Sequence, residues 1–252
     1  MTPRLAASTL GGDRVEGIRA VTELLTAGRR RVRTVWVAEE RSDDLAEIAD
    51  IATRRGIAVR HVTREELDDL SVTEVPQGVV ADADPIEPAV VDELLAAPSA
   101  FLVALDGVTD PQNLGAVLRA AETAGATGIV LPRHRSAAIT PSAAKAAAGA
   151  IEYLPIATVA GIPAVIIQAA RADVWAIGLD ADGDVTIDEL TVADRPLMLV
   201  LGAEGRGMSR LARERCDVVA RIPMHGHVAS LNVGAAAAIA CATVARLRGA
   251  TL

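Results

Sequence analysis

Aromatic side chains are scarce: Phe101, Trp36, Trp175 and Tyr153 are the full complement in 252 residues. A protein that reads single-stranded bases by stacking them needs more such platforms. Lysine is rarer still, since Lys145 is the one lysine among 25 basic residues and the others are arginines. Cys216 and Cys241 are too few and too far apart for a disulfide framework or a four-ligand zinc site, and they fit a reducing compartment. The start, MTPRLAASTLGGDRVEG, lacks the apolar core of a secretory signal. The longest charge-free apolar stretch of the C-terminal third, 228–245, is interrupted by Ser230, Asn232, Gly234 and Thr243, so it reads as a buried helix rather than a membrane span. These absences together predict a cytoplasmic protein. The net charge of −8 excludes a strongly basic nucleic-acid glove but leaves room for a local basic patch.

What is present is a chain that is 51% hydrophobic and 23% charged, which is enough to bury a sizeable core. Its patterning predicts an α/β protein. Val15, Ile18, Val21, Leu24 and Leu25 recur at helical spacing over 14–26, and Gly28 follows as a stop signal. Apolar runs over 32–38, 57–62 and 77–81 read as strands, a helix carrying Leu45, Ile48, Ile51 and Ala52 lies between the first two, and Thr63 with Glu66 forms a capping box. The acidic, proline-bearing DADPIEP marks a boundary. The expected division is an N-terminal domain over 1–83, a linker over 84–98 and a second domain over 99–252. In the second domain six apolar strands (101–105, 128–131, 154–157, 174–179, 197–201 and 218–222) alternate with helices, which implies a mainly parallel six-stranded sheet covered on both faces. Ligands bind beyond the carboxyl ends of such strands.

Three loops that follow strands carry unusual residues. DGVTDPQNLG opens a helix that reaches Arg119; it is neither a dinucleotide fingerprint nor a P-loop, and Asn113 either caps that helix or faces a ligand. In LVLGAEGRG, Gly202, Gly205 and Gly207 let the backbone approach a ligand closely, with Glu204 between them as an acceptor. In RIPMHGHVASLNVG, Ser230 and Asn232 either cap the last helix or serve chemistry. His225 and His227 in that loop have no third ligand nearby, so no metal is expected. A fourth segment, DADGD from Asp180, resembles the start of a calcium loop. Counting from Asp180 puts Val185 where the glycine belongs and Thr191 where the bidentate acid belongs, so it reads as a surface turn.

In order and separation, DGVTDPQNLGAVLRAAETAG, LVLGAEGRGMS and RIPMHGHVASLNVGAAAAIA resemble the SpoU-type RNA ribose 2′-O-methyltransferases of the SPOUT superfamily. TPSAAKAAAGAIEYLPIATV resembles the branch that modifies 23S ribosomal RNA, and the segments GDRVEGIRAV, WVAEE and PQGVVA are similar to that branch's small RNA-binding domain, which has a ribosomal-protein-L30e-like α/β fold. The resemblance implies a C-terminal SPOUT domain with a deep trefoil knot, a homodimer, and S-adenosylmethionine held in the knot loops. Carried over residue by residue, it implies catalytic positions at Asn113, Arg119, Glu204, Ser230 and Asn232, and cofactor contacts at Leu201, Gly202, Gly207, Ile222, Met224 and Leu231. Three positions depart from the family pattern: Val-Ala precedes Ser230 where an acid is common, Gly234 replaces a frequent serine, and Pro76 stands where the N-terminal domain often has histidine.

The implied reaction is an in-line attack of a ribose 2′-oxygen on a sulfonium methyl. A guanidinium stays protonated at physiological pH. Arg119 is therefore expected to grip the neighbouring phosphate and stabilise charge developing on the 2′-oxygen, rather than to take its proton. RNA contacts are expected from the cluster Arg29, Arg30, Arg31 and Arg33 and from Arg133 and Arg135. Transfer RNA is the rival substrate, and a non-catalytic ribosome assembly factor on the same fold is the rival class. A nucleotide-dependent oxidoreductase is disfavoured by the missing glycine fingerprint.

Overall fold

The structure, a computed structural model, describes residues 10–40, 42–227 and 230–249, so the Val-Ala departure before Ser230 lies outside the described residues. Two compact units emerge. Of the described residues, one unit holds those up to Glu87 together with Ala138–Tyr153, and the other holds Pro88–Ala137 and those from Leu154 onward. The expected division placed 138–153 with the second domain, whereas its contacts lie with the first unit.

The first unit contains β1 (Arg14–Glu16), α1 (Ile18–Ala27), β2 (Val32–Ala38), α2 (Asp43–Arg54), β3 (Ala58–Val62), α3 (Arg64–Leu70) and β4 (Val79–Ala83). Its sheet runs β1-β4-β2-β3, with β4 antiparallel to both β1 and β2, and β2 parallel to β3. The helix expected over 14–26 begins only at Ile18. Gly17, at φ 95, breaks the chain, and Arg14–Glu16 pair with β4 instead. Val15 kept the helical spacing by coincidence and is buried as a strand residue beside Val21, Leu24, Val35 and Val80. Other local signals hold: Gly28 ends α1 in the left-handed region, and Thr63 and Glu66 form the capping box of α3.

Glu16 is fully buried in this unit. Its carboxylate accepts hydrogen bonds from Val72 N at 2.6 Å, Thr73 N at 3.0 Å, Ser71 Oγ at 2.7 Å and Thr73 Oγ1, which ties the turn after α3 to β1.

The second unit begins with α4 (Val91–Leu95), β5 (Phe101–Asp106), α5 (Pro111–Thr123) and β6 (Gly128–Pro132). After the first unit's α6 (Pro141–Ala146), it continues with β7 (Ile156–Val159), α7 (Ile162–Arg171), β8 (Trp175–Leu179), β9 (Val185–Thr186), β10 (Leu197–Gly202), α8 (Arg210–Arg215), β11 (Val218–Arg221) and α9 (Val233–Leu247). The sheet order is β7-β6-β5-β10-β8-β11-β9 and every pairing is parallel. The six expected strands are there, and a seventh, the two-residue β9, adds an edge too short to leave a periodic signal. Phe101–Leu105 are all at most 1% exposed, as a strand covered on both faces requires.

Strand register positions the site. Gly202 pairs with Asp106, Leu201 with Leu179, and Leu179 with Ala220. The carboxyl ends of β5, β10, β8 and β11 are therefore level, and the loops leaving them share one edge of the sheet. Helix α9 packs on α5 at Gly234, where an added Cβ would lie 2.7 Å from Cβ of Ala116. The glycine that departs from the family's frequent serine thus permits a close approach of the two helices. Among the described residues no helix is long and apolar enough to cross a membrane.

Candidate active site

The loop leaving β10 is shaped by its glycines. A Cβ on Gly202 would lie 2.0 Å from the carbonyl carbon of Gly207 and 2.1 Å from Met208 N, so no side chain fits there. Ala203 and Gly207 exchange backbone hydrogen bonds in both directions, at 3.0 and 2.8 Å. The residues between them form a closed turn with Glu204 exposed at its start. Ser209 then caps α8, and its N–H donates to Asp106 at 2.7 Å, which fastens this loop to the end of β5.

Helix α5 is capped by Asp110, which accepts from Asn113 N at 2.8 Å. Asn113 is therefore not the cap. It sits in the first helical turn with its side chain released. Asn232 is the cap of α9, with Oδ1 accepting from Gly234 N at 2.9 Å. That bond turns the Asn232 amide nitrogen toward two acceptors, Asn113 Oδ1 at 2.8 Å and Glu204 Oε2 at 3.3 Å. With its oxygen so used, Asn113 presents Nδ2 to the same carboxylate oxygen at 3.2 Å. Each bond fixes the orientation of the next amide. Three residues far apart in the chain thus form one closed cluster. For Asn232, capping and clustering prove to be complementary uses of a single side chain.

Glu204 also lines a cavity of about 490 Å³. All six residues expected to contact a cofactor line it: Leu201, Gly202, Gly207, Ile222, Met224 and Leu231. Ser230 lines it as well, while Asn113 and Asn232 reach it only through Glu204. Arg119 stands exposed on α5, outside the cluster, with no ion pair to its guanidinium among the described residues. Sequence reasoning missed one wall. Asp180, Ala181 and Asp182, part of the DADGD segment read as a surface turn, line the cavity after β8 together with the strand residue Leu179. The segment's position directly after an apolar strand was the signal that could have found it. His225 and His227 are exposed, and among the described residues no three His, Cys, Asp or Glu side chains gather to hold a metal.

The profile of the SpoU rRNA methylase family matches residues 100–242, which takes in all three of these loops. The chain belongs to that family. A second profile, for RNA 2′-O ribose methyltransferase substrate binding, matches residues 14–89 of this SpoU methylase. Among its relatives is the 23S rRNA (guanosine-2′-O-)-methyltransferase RlmB of Pseudomonas syringae pv. tomato, 36% identical over 244 residues, covering 94% of this chain and 97% of that protein. The RlmB of Pseudomonas aeruginosa is 38% identical over 242 residues, covering 94% and 97%. A solved structure of the SpoU methyltransferase AviRb from Streptomyces viridochromogenes, in complex with AdoMet, superposes with a TM-score of 0.77 at 26% identity, covering 94% of this chain and 91% of that one. The chain is an RNA 2′-O-methyltransferase by family.

The arginines expected to meet RNA in this SpoU methylase fare unequally. Arg30 is buried against Glu152, with Nε to Oε2 at 2.9 Å, and also donates to the carbonyls of Gly12 and Asp84. Arg33 is held by Asp82 and Asp84, and Asp82 in turn pushes the Arg33 pKa up while its own falls. Arg29 donates to the Tyr153 carbonyl at 2.7 Å. Arg31, Arg133 and Arg135 are exposed. The densest basic stretch in the sequence is thus largely spent on internal acids and carbonyls, because Asp82, Asp84 and Glu152 converge on it.

Proposed function

We propose that this chain transfers a methyl group from S-adenosylmethionine to a ribose 2′-hydroxyl of 23S ribosomal RNA. The observation that carries this reading is the Asn113–Asn232–Glu204 cluster, which joins a nucleoside-sized cavity through Glu204. The cavity's residues fit the donor. Its volume of about 490 Å³ suits a small molecule, and Leu201, Ile222 and Leu231 supply apolar walls among main-chain donors and acceptors. When bound, S-adenosylmethionine supplies an electrophilic methyl, so the chemistry needs no other cofactor.

The chain's own residues then position and stabilise. Glu204, held by two amides, keeps the glycine loop and the start of α9 in one arrangement. Asn113 and Asn232 hold the loops that would orient the ribose, and Ser230 lies on the cavity wall where the attacking nucleotide would enter. Arg119, unspent on internal acids, grips the phosphate beside the attacked ribose and stabilises negative charge as it develops on the 2′-oxygen. We assign RNA contacts to Arg29, Arg31, Arg133 and Arg135, and a structural role to Arg30 and Arg33.

The N-terminal unit we read as the substrate-binding, L30e-like domain. Its mixed four-stranded sheet with helices supports that reading. A trefoil knot in the second unit is supported by the insertion of β10 between β5 and β8 and by the return of α9 onto α5. A homodimer fits the apolar Ile239 left 41% exposed on α9. We read the enzyme as cytoplasmic, which is in keeping with the ribosomal RNA substrate proposed here.

The test is tritium transfer from labelled S-adenosylmethionine to 23S transcripts and to bulk transfer RNA, followed by mapping of the 2′-O-methyl site. Label in the 23S transcript is expected. Transfer to transfer RNA alone would overturn the substrate, and RNA binding without transfer would overturn the enzyme.

A further inference from the structure

The loop after β8, which sequence reasoning set aside, is braced as firmly as the loops that carry the family motifs. Asp180 Oδ2 pairs with Arg213 at 2.9 Å, and Oδ1 accepts from Asp182 N at 3.0 Å. Arg213 also donates to the Asp182 carbonyl at 3.2 Å, and Arg221 donates to the Gly183 carbonyl at 2.7 Å. Gly183 lies so close to β11 that an added Cβ would be 2.4 Å from the Ala220 carbonyl carbon. Two arginines from different elements thus pin a short turn against the sheet edge, with the Asp180 side chain on the cavity wall. Its Oδ2 lies 3.5 Å from where a Cβ on Gly207 would be, beside the end of the glycine loop.

Acidic residues therefore line the cavity on two walls, Glu204 on the glycine loop and Asp180 with Asp182 on the turn after β8. Glu204 is bound to Asn113 and Asn232, at the edge where methyl transfer is placed. Asp180 is free of that cluster, and its charge is already balanced by Arg213. A balanced carboxylate attracts a cation weakly, yet its oxygens keep lone pairs for further donors. Of the polar groups on the cofactor, the ribose diol is neutral and donates from two adjacent hydroxyls, which matches this acceptor better than the ammonium does.

We propose that Asp180 accepts the ribose hydroxyls of the bound cofactor, and that Arg213 is the positioning residue that holds its carboxylate toward the cavity. This inference rests on the cofactor reading of the cavity given above.

Calorimetry on the whole protein tests it with two probes, S-adenosylhomocysteine and its 2′,3′-dideoxyribose analogue. The wild type is expected to bind the first roughly ten- to a hundredfold more tightly, the span of one or two charge-assisted hydrogen bonds. In Asp180→Ala that preference should collapse, through weaker binding of S-adenosylhomocysteine and an unchanged affinity for the dideoxy analogue. Asp180→Asn, which retains an acceptor for Asp182 N, serves if the alanine variant unfolds, and should lose most of the preference. Arg213→Lys should restore more of it than Arg213→Ala. Equal weakening of both probes would mark Asp180 as a structural brace and overturn the proposal, as would an unaltered preference. A wild type that binds neither probe would overturn the cofactor reading itself, and this inference with it.

Discussion

Asn232 donates from Nδ2 to Oδ1 of Asn113 at 2.8 Å while its own Oδ1 caps α9 through Gly234 N. One side chain thus sets the start of a helix and closes a cluster with a residue from another loop. The two tasks use opposite ends of the amide, so they can be separated by substitution.

Asn232→Ser should keep a cap acceptor and lose the amide donor. Its melting temperature is expected to stay close to wild type, because serine and asparagine cap almost equally well. Asn232→Ala should lose the cap as well, at about 0.5–2 kcal/mol, which in a chain of this size lowers the melting point by a few degrees. Both variants should lose at least ~10-fold in methyl transfer, in line with a group that orients reacting partners. A fully active serine variant would show that the bond from Asn232 to Asn113 is dispensable for methyl transfer.

Arg119 is exposed and makes no ion pair among the described residues, so substitution should leave stability within about 0.5 kcal/mol. Its proposed work depends on the planar fork of a guanidinium. Arg119→Lys is expected to reduce kcat roughly 10²-fold at every pH between 6 and 9, with S-adenosylhomocysteine binding unaltered. Activity near wild type at neutral pH would remove the need for the fork.

Legibility followed the physics of each feature. The parallel sheet was plain in the sequence because strands buried on both faces are unbroken apolar runs, as 101–105 is. β9 was not, because two residues carry no period. The motif loops bring all six residues expected to contact a cofactor onto one cavity, since glycines at 202 and 207 leave the backbone little choice. What composition hid was partnership. The arginine run 29–33 reads as a basic patch until Asp82, Asp84 and Glu152 are folded against it, and DADGD reads as a surface turn until Arg213 and Arg221 pin it beside the cavity. Such long-range pairings have no periodic signature.

The consequence for RNA binding is a contrast between adjacent arginines. Glu152 and Arg30 have side chains 1% and 9% exposed, so Arg30→Ala leaves a buried carboxylate unpaired, and destabilisation of about 3–5 kcal/mol is expected in urea unfolding. Arg31→Ala, at an exposed position, should leave stability unchanged and shallow the slope of log affinity against log salt by about 1. An Arg31 variant with an unaltered slope would remove that residue from the RNA contacts.

Cys216 and Cys241 should be inert in the folded protein. Burial pushes both thiols up to about 12, and at Cys216 the nearby charges of Asp217 and Asp106 add to the effect. The thiolate is the reactive form. Neither cysteine should be alkylated by iodoacetamide at pH 8 in the native state, and both should react in denaturant. Rapid native labelling of Cys216, read by peptide mass, would contradict this.

Acid should loosen the first unit through Glu16. Burial alone would raise its pKa, but donors from the Thr73 and Ser71 hydroxyls and the Val72 and Thr73 amides outweigh it, and the folded value lies below the ordinary one. A carboxylate with a depressed folded pKa stabilises the fold fully above its unfolded value of about 4.3, and that contribution is lost as pH falls through the folded value. Glu16→Gln turns an amide nitrogen toward those donors and should cost about 1–3 kcal/mol at pH 7. The gap between variant and wild type in urea unfolding should then shrink progressively below about pH 4.3, where the carboxylate of the unfolded chain takes up a proton, and level off once pH falls below the folded value. A gap that stays constant from pH 7 to pH 3 would mean that Glu16 holds the 71–73 turn by shape rather than by charge.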